Sequence, residues 1–337
     1  MLKLLVTQAL RSLGYQLMPV GTPATGTTPV PVESSPAPSM PPPGSFLPAV
    51  PTINIVDVGA MFAGDGTEPY SALRDAGLAR VVGFEPVADE CEKLNRRFGP
   101  PHRYLPYAIA DGTARRLHIC NESMTSSLYE PNTLLLSAFE GLAELVRVVR
   151  TVPIETHRLD DISEAAGADY LKLDVQGAEL DVLRGASRVI AKALVVHTEV
   201  EFAALYREQP LFADVDRVLR DAGYGLFAFD EMQSRTYRPF QGHELPPARR
   251  FGQVLWTDAV YVRRLFELDR LDPSELMRLF VILHVAYGAT DLCARVLQHL
   301  DAKTGRTDSH SYRVEALASS NAARSATAGR FTRSTGG

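Results

Sequence analysis

Cysteine, tryptophan and long apolar runs are scarce in this chain of 337 residues. Its three cysteines, Cys91, Cys120 and Cys293, form neither a CxxC pair nor a cluster with histidine. The pattern argues against a disulfide framework or a cysteine zinc site, and we expect free thiols in a reducing compartment. No run of about 18 apolar residues occurs, which predicts no membrane span. Polar side chains interrupt residues 1–21, so we expect no secretory signal peptide and a cytoplasmic protein.

An excess of positive charge is also lacking. Lysine and arginine number 35 against 40 aspartate and glutamate residues, which gives a formal net charge of −5. Nucleic-acid binders usually carry a basic face, so this balance predicts no nucleic-acid partner. The apolar fraction of 45% and the charged fraction of 22% are typical of a soluble globular protein. They exclude a wholly disordered, collagen-like or coiled-coil chain.

The two ends of the chain differ in composition from its middle. Apolar residues at helical spacing predict an amphipathic helix over 1–18, which either packs on its own domain or makes a peripheral contact with a membrane. Residues 19–52 hold 11 of the 23 prolines and predict an extended linker. Residues 303–337 are rich in Ser, Ala, Thr, Gly and Arg and predict a disordered tail. The folded part is therefore expected over 53–265, followed by a small helical extension over 266–302.

Strand-like and helix-like segments alternate in the middle of the chain. The predicted strands are 53–58, 80–85, 104–110, 170–174, 194–199, 224–229 and 254–262, the last an edge or reversed strand. The predicted helices are one that ends at about residue 76, then 87–98, 162–166 (capped by an Asp of the preceding Asp-Asp pair), 178–186, 211–222, 273–286 and 291–300. This order predicts an α/β fold with a mostly parallel sheet and helices on both faces. Ligands bind such sheets at the carboxyl ends of the strands.

Acidic residues stand at the ends of the first three predicted strands. Asp57 precedes Gly59, and the glycines that follow do not form the GxGxxG pattern of dinucleotide-binding turns. An acid at that place suits a cationic ligand better than a diphosphate. Glu85 is placed to accept hydrogen bonds from ribose hydroxyls, and Asp111 from an adenine amino group. Together they predict a pocket for S-adenosylmethionine rather than for a nicotinamide cofactor.

Further ionisable residues fall at the ends of the fourth and fifth strands. Lys172 and Asp174 share one face of a strand, and so do His197, Glu199 and Glu201. Buried charges are costly unless they are paired or used, which leaves three interpretations. The groups form a structural ion-pair network, or Asp174 or His197 is a general base, or Asp174, Glu199 and Glu201 hold a divalent ion.

Five segments in this order and spacing resemble the FkbM family of S-adenosylmethionine-dependent methyltransferases over roughly residues 53–230. They are Asp57-Val58-Gly59-Ala60, Val82-Gly83-Phe84-Glu85-Pro86, Ala110-Asp111-Gly112, Arg158-Leu159-Asp160-Asp161 and Leu171-Lys172-Leu173-Asp174-Val175-Gln176-Gly177-Ala178-Glu179. The last is the most specific. The strand at 253–262 and the helices after it resemble a bacterial branch of the family. One departure stands at Met61-Phe62-Ala63, where many members have Asn and then Gly.

The resemblance implies a Rossmann-like class I methyltransferase fold and O-methylation of a sugar, glycan or secondary-metabolite hydroxyl. It places Asp57, Gly59 and Ala60 at the methionine arm of the cofactor, Glu85 at the ribose and Asp111 at the adenine. The full set expected to bind the cofactor is Asp57, Gly59, Ala60, Glu85, Pro86, Ala110 and Asp111. A non-catalytic module that binds the cofactor is the alternative.

For catalysis we expect Asp174 to take the proton of the acceptor hydroxyl, assisted by His197 or Glu199. Gln176, Glu201 and His157 are expected to bind the acceptor. Magnesium is the less favoured alternative to this base catalysis, so no metal ligand is assigned. The sequence predicts no oligomeric state.

Overall fold

The computed structural model describes residues 51–61, 68–241, 244 and 252–318. The expected helix over 1–18 and most of the proline-rich linker lie outside these residues, as does the segment 62–67. The described chain divides into two compact units. The first unit comprises residues 53–68 and 79–265, and the second comprises 69–78 and the residues from 266 onward.

The first unit contains ten strands in two sheets. In chain order they are β1 (Ile53–Val58), β2 (Ala79–Phe84), β3 (Arg103–Leu105), β4 (Ala108–Ile109), β5 (Ala114–Cys120), β6 (Val148–His157), β7 (Tyr170–Leu173), β8 (Val195–Glu201), β9 (Tyr224–Arg235) and β10 (Gln253–Arg263). Seven form the main sheet, in the order β3-β2-β1-β7-β8-β10-β9. The first five of these strands are parallel, and β10 runs antiparallel to both of its neighbours. The predicted class I methyltransferase fold is confirmed.

Besides a helical segment over residues 308–318, nine helices accompany these strands in the described chain. They are α1 (Ser71–Asp75), α2 (Ala88–Phe98), α3 (Thr133–Leu136), α4 (Leu142–Leu145), α5 (Glu179–Arg184), α6 (Ser187–Lys192), α7 (Phe212–Asp221), α8 (Pro273–Tyr287) and α9 (Thr290–Thr304). Helices α2 to α7 belong to the first unit. Strands β7 and β8 are buried at every residue, and α5 and α7 contribute to the same apolar core. Because β8 is buried throughout, its polar residues His197, Glu199 and Glu201 lie inside the protein and not in solvent.

The strand predicted over 104–110 is divided between the two sheets. Strand β3 pairs with β2 in the main sheet, whereas β4 pairs with β6 in a three-stranded sheet of order β4-β6-β5. Pro106 lies between them and has no N–H to donate to a ladder. Strand β6 is absent from the predictions because Arg150 and Pro153 interrupt its apolar pattern.

Two further expectations need correction. The predicted helix 162–166 is instead a pair of short 3₁₀ turns, Leu159–Asp161 and Ser163–Ala165. Asp160 caps a different helix, because its carboxylate accepts from the N–H of Arg188 and Val189 at the start of α6. Strand β10 is reversed as predicted, but β9 and not β10 forms the edge of the sheet.

The second unit is helical. Helix α8 begins at a reciprocal cap in which Asp272 accepts from the N–H of Glu275 and Glu275 accepts from that of Asp272, both at 2.8 Å. It packs against α9. The disordered tail expected from residue 303 needs correction over its first part, since α9 continues to Thr304 and residues 308–318 are helical; residues 319–337 lie outside the described ranges. Tyr312 anchors this last segment by packing its ring against Phe280 and His284.

Within the described ranges no helix combines the length and the apolar character needed to cross a membrane.

Gly59 follows β1 and provides a test of this packing. Its φ is +81°, and a Cβ built on it would come within 1.9 Å of the carbonyl oxygen of Asp174. We expect Gly59→Ala to lower the free energy of unfolding by about 3 kcal/mol or more, because the β1 and β7 backbones must move apart. Gly141→Ala is the matched control, since Gly141 has a φ of +75° and no atom within 4 Å of its built Cβ. It should lose only about 1 kcal/mol in urea denaturation. Equal losses would show that close approach at Gly59 is unimportant.

Candidate functional site

The carboxyl ends of β1, β2, β7 and β8 meet along one side of the main sheet, which we call the carboxyl edge. Because these strands are parallel, the acids that end each of them are brought to this side. Asp57, Glu85, Asp174, Glu199 and Glu201 are all buried there, with 8% or less of each residue exposed. Buried carboxylates need partners, and the structure supplies a different kind of partner for each.

Lys172 on β7 is the cation within this group. Its Nζ lies 3.5 Å from Asp57 Oδ1, 3.3 Å from Glu68 Oε2 and 3.5 Å from Asp174 Oδ2. Burial lowers the pKa of Lys172, but the three carboxylates raise it and hold it well above its ordinary value. One ammonium among three carboxylates leaves a formal excess of two negative charges. Such an excess in a buried place favours a cationic ligand.

Sequence reasoning missed Glu68. Burial raises the pKa of its carboxyl group, with Lys172 acting in the opposite direction. The residue precedes Pro69 and belongs to no strand or helix, so no periodic pattern could have placed it beside Lys172.

The loop that follows β7 has an unusual backbone. Gln176 has a φ of +57° and Gly177 a φ of +95°. A left-handed conformation costs a non-glycine residue about 1–3 kcal/mol. Glu179 holds the loop, since its Oε1 accepts from the N–H of Val175 at 2.8 Å and of Gly177 at 3.3 Å. Ser127 Oγ donates to the carbonyl oxygen of Gln176 at 2.6 Å.

The side-chain amide of Gln176 joins the ends of β7 and β8. Its Nε2 donates to Asp174 Oδ1 at 2.9 Å and to Glu199 Oε2 at 2.7 Å. Its Oε1 accepts from the hydroxyl of Tyr206 at 3.1 Å. Gln176 was predicted to bind the acceptor, but the nitrogen and the oxygen of its amide both form hydrogen bonds within the chain. Tyr206, which lies between β8 and α7, was not predicted.

Three glutamates form a compact group beside this amide. Glu179, Glu199 and Glu201 each offer a carboxylate oxygen within 4.8 Å of the others. Burial raises the pKa of Glu179 to about 7. Burial also raises the pKa values of Glu199 and Glu201 well above the ordinary range, and the neighbouring acids raise them further. The raised pKa values mean that protonation stabilises the three glutamates in their buried position. Their carboxylate oxygens are also the ligands that magnesium prefers. The group differs from the predicted metal-binding set because it contains Glu179 in place of Asp174.

His197 lies on β8 with 2% of the residue exposed. Its Nε2 is 3.8 Å from Asp258 Oδ2 on β10. Burial raises the pKa of Asp258, but the hydrogen bond and the charge of His197 lower it below its ordinary value. The pairing gives His197 a partner on β10 that the sequence did not indicate.

On the cofactor side, the N–H groups of Gly59 and Ala60 both donate to the carbonyl oxygen of Phe84 at 3.0 Å. These bonds fix the turn after β1 against the end of β2. Glu85 follows, and its Oε1 accepts from the N–H of Val87 at 2.7 Å. Burial raises the pKa of Glu85 to about 7, although the bond from Val87 acts against this. Pro86, beside it, is half-buried.

The third predicted cofactor contact has more local partners. Asp111 accepts from the hydroxyl of Thr113 at 2.6 Å and from Arg115 Nη2 at 2.8 Å. Despite some burial, these donors lower the pKa of Asp111. Ala110 donates its N–H to the carbonyl oxygen of His157 at 3.0 Å. The His157 side chain is exposed, and its ring centroid lies 4.7 Å from that of Tyr107.

These features fit S-adenosylmethionine. Gly59 leaves no side chain over the turn after β1, where a Cβ would come within 1.9 Å of the carbonyl oxygen of Asp174. The carboxylates around Lys172 match a ligand with a positive centre, and Glu85 offers a buried carboxylate at the end of the adjacent strand. The departure at Met61-Phe62-Ala63 runs into the segment 62–67, outside the described residues.

Comparison with known proteins supports the same conclusion. Residues 57–226, about half of the chain, match the family model described as the methyltransferase FkbM domain. The 2-O-methyltransferase NoeI of Sinorhizobium fredii (strain NBRC 101917 / NGR234) is 30% identical over 171 residues, which are 48% of this chain and 69% of that protein.

Solved structures show weaker likeness. Magnesium protoporphyrin IX methyltransferase (ChlM) from Synechocystis PCC 6803, with bound SAM, has 13% identity over 64% of this chain and 71% of its own, with a TM-score of 0.31. A protein from Thermoplasma acidophilum described as a putative methyltransferase has 9% identity over 64% of this chain and 70% of its own, with a TM-score of 0.33. Likeness at this level carries no argument about the site.

The raised pKa of Glu85 predicts a pH-dependent affinity for the cofactor. Ribose hydroxyls donate to the ionised carboxylate, so affinity is complete above a pH of about 7 and falls as pH falls below it. We expect S-adenosylmethionine to bind about tenfold more weakly at pH 6 than at pH 8 in calorimetric titrations. Glu85→Gln should bind more weakly throughout and lose this part of the pH dependence. The same pH dependence in both proteins would assign the titration to another group.

Proposed function

Because the chain belongs to the FkbM methyltransferase family, we propose that it transfers a methyl group from S-adenosylmethionine to a hydroxyl of a sugar, a glycan or a secondary metabolite. Oxygen as the acceptor atom is supported by the name of its relative, a 2-O-methyltransferase. The observation that carries the proposal is the buried Asp174, whose carboxylate is oriented at the carboxyl edge by Lys172 and Gln176. A carboxylate held in this way can accept a hydroxyl proton.

The cofactor supplies an activated methyl group on a sulfonium, so the chain has to bind, orient and deprotonate. Asp57, Gly59 and Ala60 would hold the methionine arm at the turn after β1. Glu85 and Pro86 would hold the ribose, and Ala110 and Asp111 the adenine edge. Since Asp111 already accepts from Thr113 and Arg115, Glu85 is the stronger of the two acidic contacts.

The acceptor hydroxyl would lie over Asp174, with Glu201 and His157 as further contacts. As its oxygen bonds to the methyl carbon, the methyl–sulfur bond breaks and the hydroxyl proton passes to the Asp174 carboxylate. Glu199 assists through the Gln176 amide that joins it to Asp174. His197 is a weaker candidate for this help, since its ring is placed beside Asp258.

We further propose that the enzyme acts in the cytoplasm on a small-molecule or glycan acceptor, with residues 1–18 available for a peripheral membrane contact.

Substitution of Asp174 tests the role of the base. With labelled S-adenosylmethionine and a panel of methyl pyranosides, Asp174→Asn should lower kcat by about 100-fold to 10,000-fold because the proton acceptor is lost. Cofactor affinity by calorimetry should fall far less than kcat, by about tenfold at most, since Asp57 and Glu68 remain as acidic groups beside Lys172. Asp221→Asn, at the exposed end of α7, is the control and should keep full activity. Cofactor binding without transfer to any hydroxyl would favour the non-catalytic alternative.

Removal of divalent ions tests the second interpretation of the acidic residues. We expect transfer to continue in EDTA with a change of less than about twofold, because oxygens of Glu179 and Glu199 are engaged by N–H donors that a hard cation would have to displace. Rates would be measured after dialysis against EDTA and again with added Mg²⁺. Loss of activity that only Mg²⁺ restores would assign Glu179, Glu199 and Glu201 to a metal.

A further inference from the structure

Gln176 occupies a backbone conformation that favours glycine, yet it carries a long side chain. Among the described residues two that are not glycine have a positive φ, Gln176 at +57° and Glu208 at +58°. Glu208 is exposed, whereas Gln176 is 4% exposed. A strained residue persists where the surrounding structure holds it, and such residues cluster at functional sites.

The loop backbone is held without this amide. Glu179 accepts the N–H groups of Val175 and Gly177, and Ser127 donates to the carbonyl oxygen of Gln176. None of these bonds uses the Gln176 side chain. A glycine at 176 would keep all of them and would relieve the strain. The side chain therefore has a task other than shaping the loop.

That task is set by where the amide atoms lie. Both hydrogens of Nε2 have a carboxylate partner, one in Asp174 and one in Glu199. The Tyr206 hydroxyl shares its one hydrogen between the Thr125 carbonyl oxygen at 3.0 Å and Gln176 Oε1 at 3.1 Å. The ionised Asp174 carboxylate can only accept, and this turns the NH₂ group of the amide, not its oxygen, towards the two acids. The opposite orientation would set Oε1 against two carboxyl groups.

The two oxygens of Asp174 consequently have different fixed neighbours. Oδ1 accepts from Gln176, and Oδ2 lies 3.5 Å from Lys172 Nζ. Two partners at the two ends of a carboxylate fix the plane of the group. General-base catalysis depends on that orientation, because a misplaced acceptor of the proton slows the reaction without weakening binding.

We propose that Gln176 is a positioning residue: its left-handed backbone sets the side-chain amide between Asp174 and Glu199, and the amide orients the Asp174 carboxylate towards the acceptor hydroxyl. The inference rests on the proposed function. It replaces the direct contact with the acceptor that the sequence suggests for Gln176. The Tyr206 hydroxyl lies 3.1 Å from Oε1, on the side of the amide opposite to the two acids.

Gln176→Gly is the decisive variant, because it relieves the strain, keeps the backbone hydrogen bonds of the loop and removes the side chain that carries the amide. We expect kcat to fall by about 100-fold. The acceptor KM and the cofactor dissociation constant should each change by less than about threefold. Glu208→Gly is the matched control: it relieves the same strain at an exposed residue and should leave kcat unchanged. Both would be assayed on the full chain with the methyl pyranoside that the wild type methylates fastest.

Two more variants separate the amide from the rest of the side chain. Gln176→Glu retains the length and an oxygen for Tyr206, but it sets a third carboxyl group against Asp174 and Glu199, so kcat should again fall. Tyr206→Phe removes one hydrogen bond to the amide and should lower kcat by about tenfold. A full kcat in Gln176→Gly would overturn the proposal. A rise in acceptor KM at constant kcat would also overturn it, because that split marks a binding contact.

A measurement without acceptor keeps this inference separate from the proposed function. In the wild type labelled with ¹⁵N-glutamine, the side-chain amide signals of Gln176, assigned by their loss in Gln176→Gly, should be protected from solvent exchange. Asp174→Asn and Glu199→Gln should each shift them. Rapid exchange of both hydrogens would overturn the proposal even if methyl transfer is observed. Protected signals in a protein that methylates no hydroxyl would contradict the proposed function and leave the amide geometry established.

Discussion

The burial of one ammonium among three carboxylates is the constraint on which the rest of this site depends. Lys172 lies on a strand buried at every residue, so it has little water to solvate it. Asp57, Glu68 and Asp174 take the place of that water, and each is held by a different part of the chain. Because the cation and the acids stabilise one another, an acid such as Asp174 can remain ionised in a place where burial alone would favour its protonated form. In the described part of the chain no lysine or arginine forms an ion pair with the glutamates at the end of β8, and burial raises their pKa values well above the ordinary range. Burial also raises the pKa of Glu68, but there Lys172 opposes the shift.

The acids beside Lys172 and the glutamates at the end of β8 are suited to different roles. The carboxylates around Lys172 attract positive charge and, in the case of Asp174, can take a proton. The raised groups Glu199 and Glu201 are partners that hold a proton and contribute hydrogen bonds at little electrostatic cost. Gln176 lies between these sets and donates to one member of each. An amide is suited to that place, because it carries no charge that either set would have to balance.

Much of the fold and part of the site could be predicted from the sequence. Short segments rich in apolar and β-branched residues identified β1, β7 and β8, and their parallel order brought Asp57, Asp174 and Glu199 to one side of the sheet. The failures have local causes: Pro106 divides a strand, Arg150 and Pro153 conceal another, and Asp160 caps a helix far along the chain from itself. The partners Glu68, Tyr206 and Asp258 could not be found, because each reaches the site from a loop or a neighbouring strand whose register no periodic pattern reveals. The positive φ of Gln176 could not be predicted either, because the residue that indicates this backbone conformation in a sequence is glycine.

Helix α1 belongs to the second unit although it lies in the chain between β1 and β2 of the first. It packs against α8, and its Leu73 is fully buried. The C-terminal helices are therefore not an appendage that can be cut away at residue 265. A protein truncated at residue 265 would keep every strand of the main sheet. Helix α1, some 190 residues earlier in the chain, would lose its partner α8. The side chain of Leu73 would then be exposed to water in the segment that leads to β2. Gene boundaries drawn from the family match alone, which ends at residue 226, would fall inside β9 and remove β10 as well.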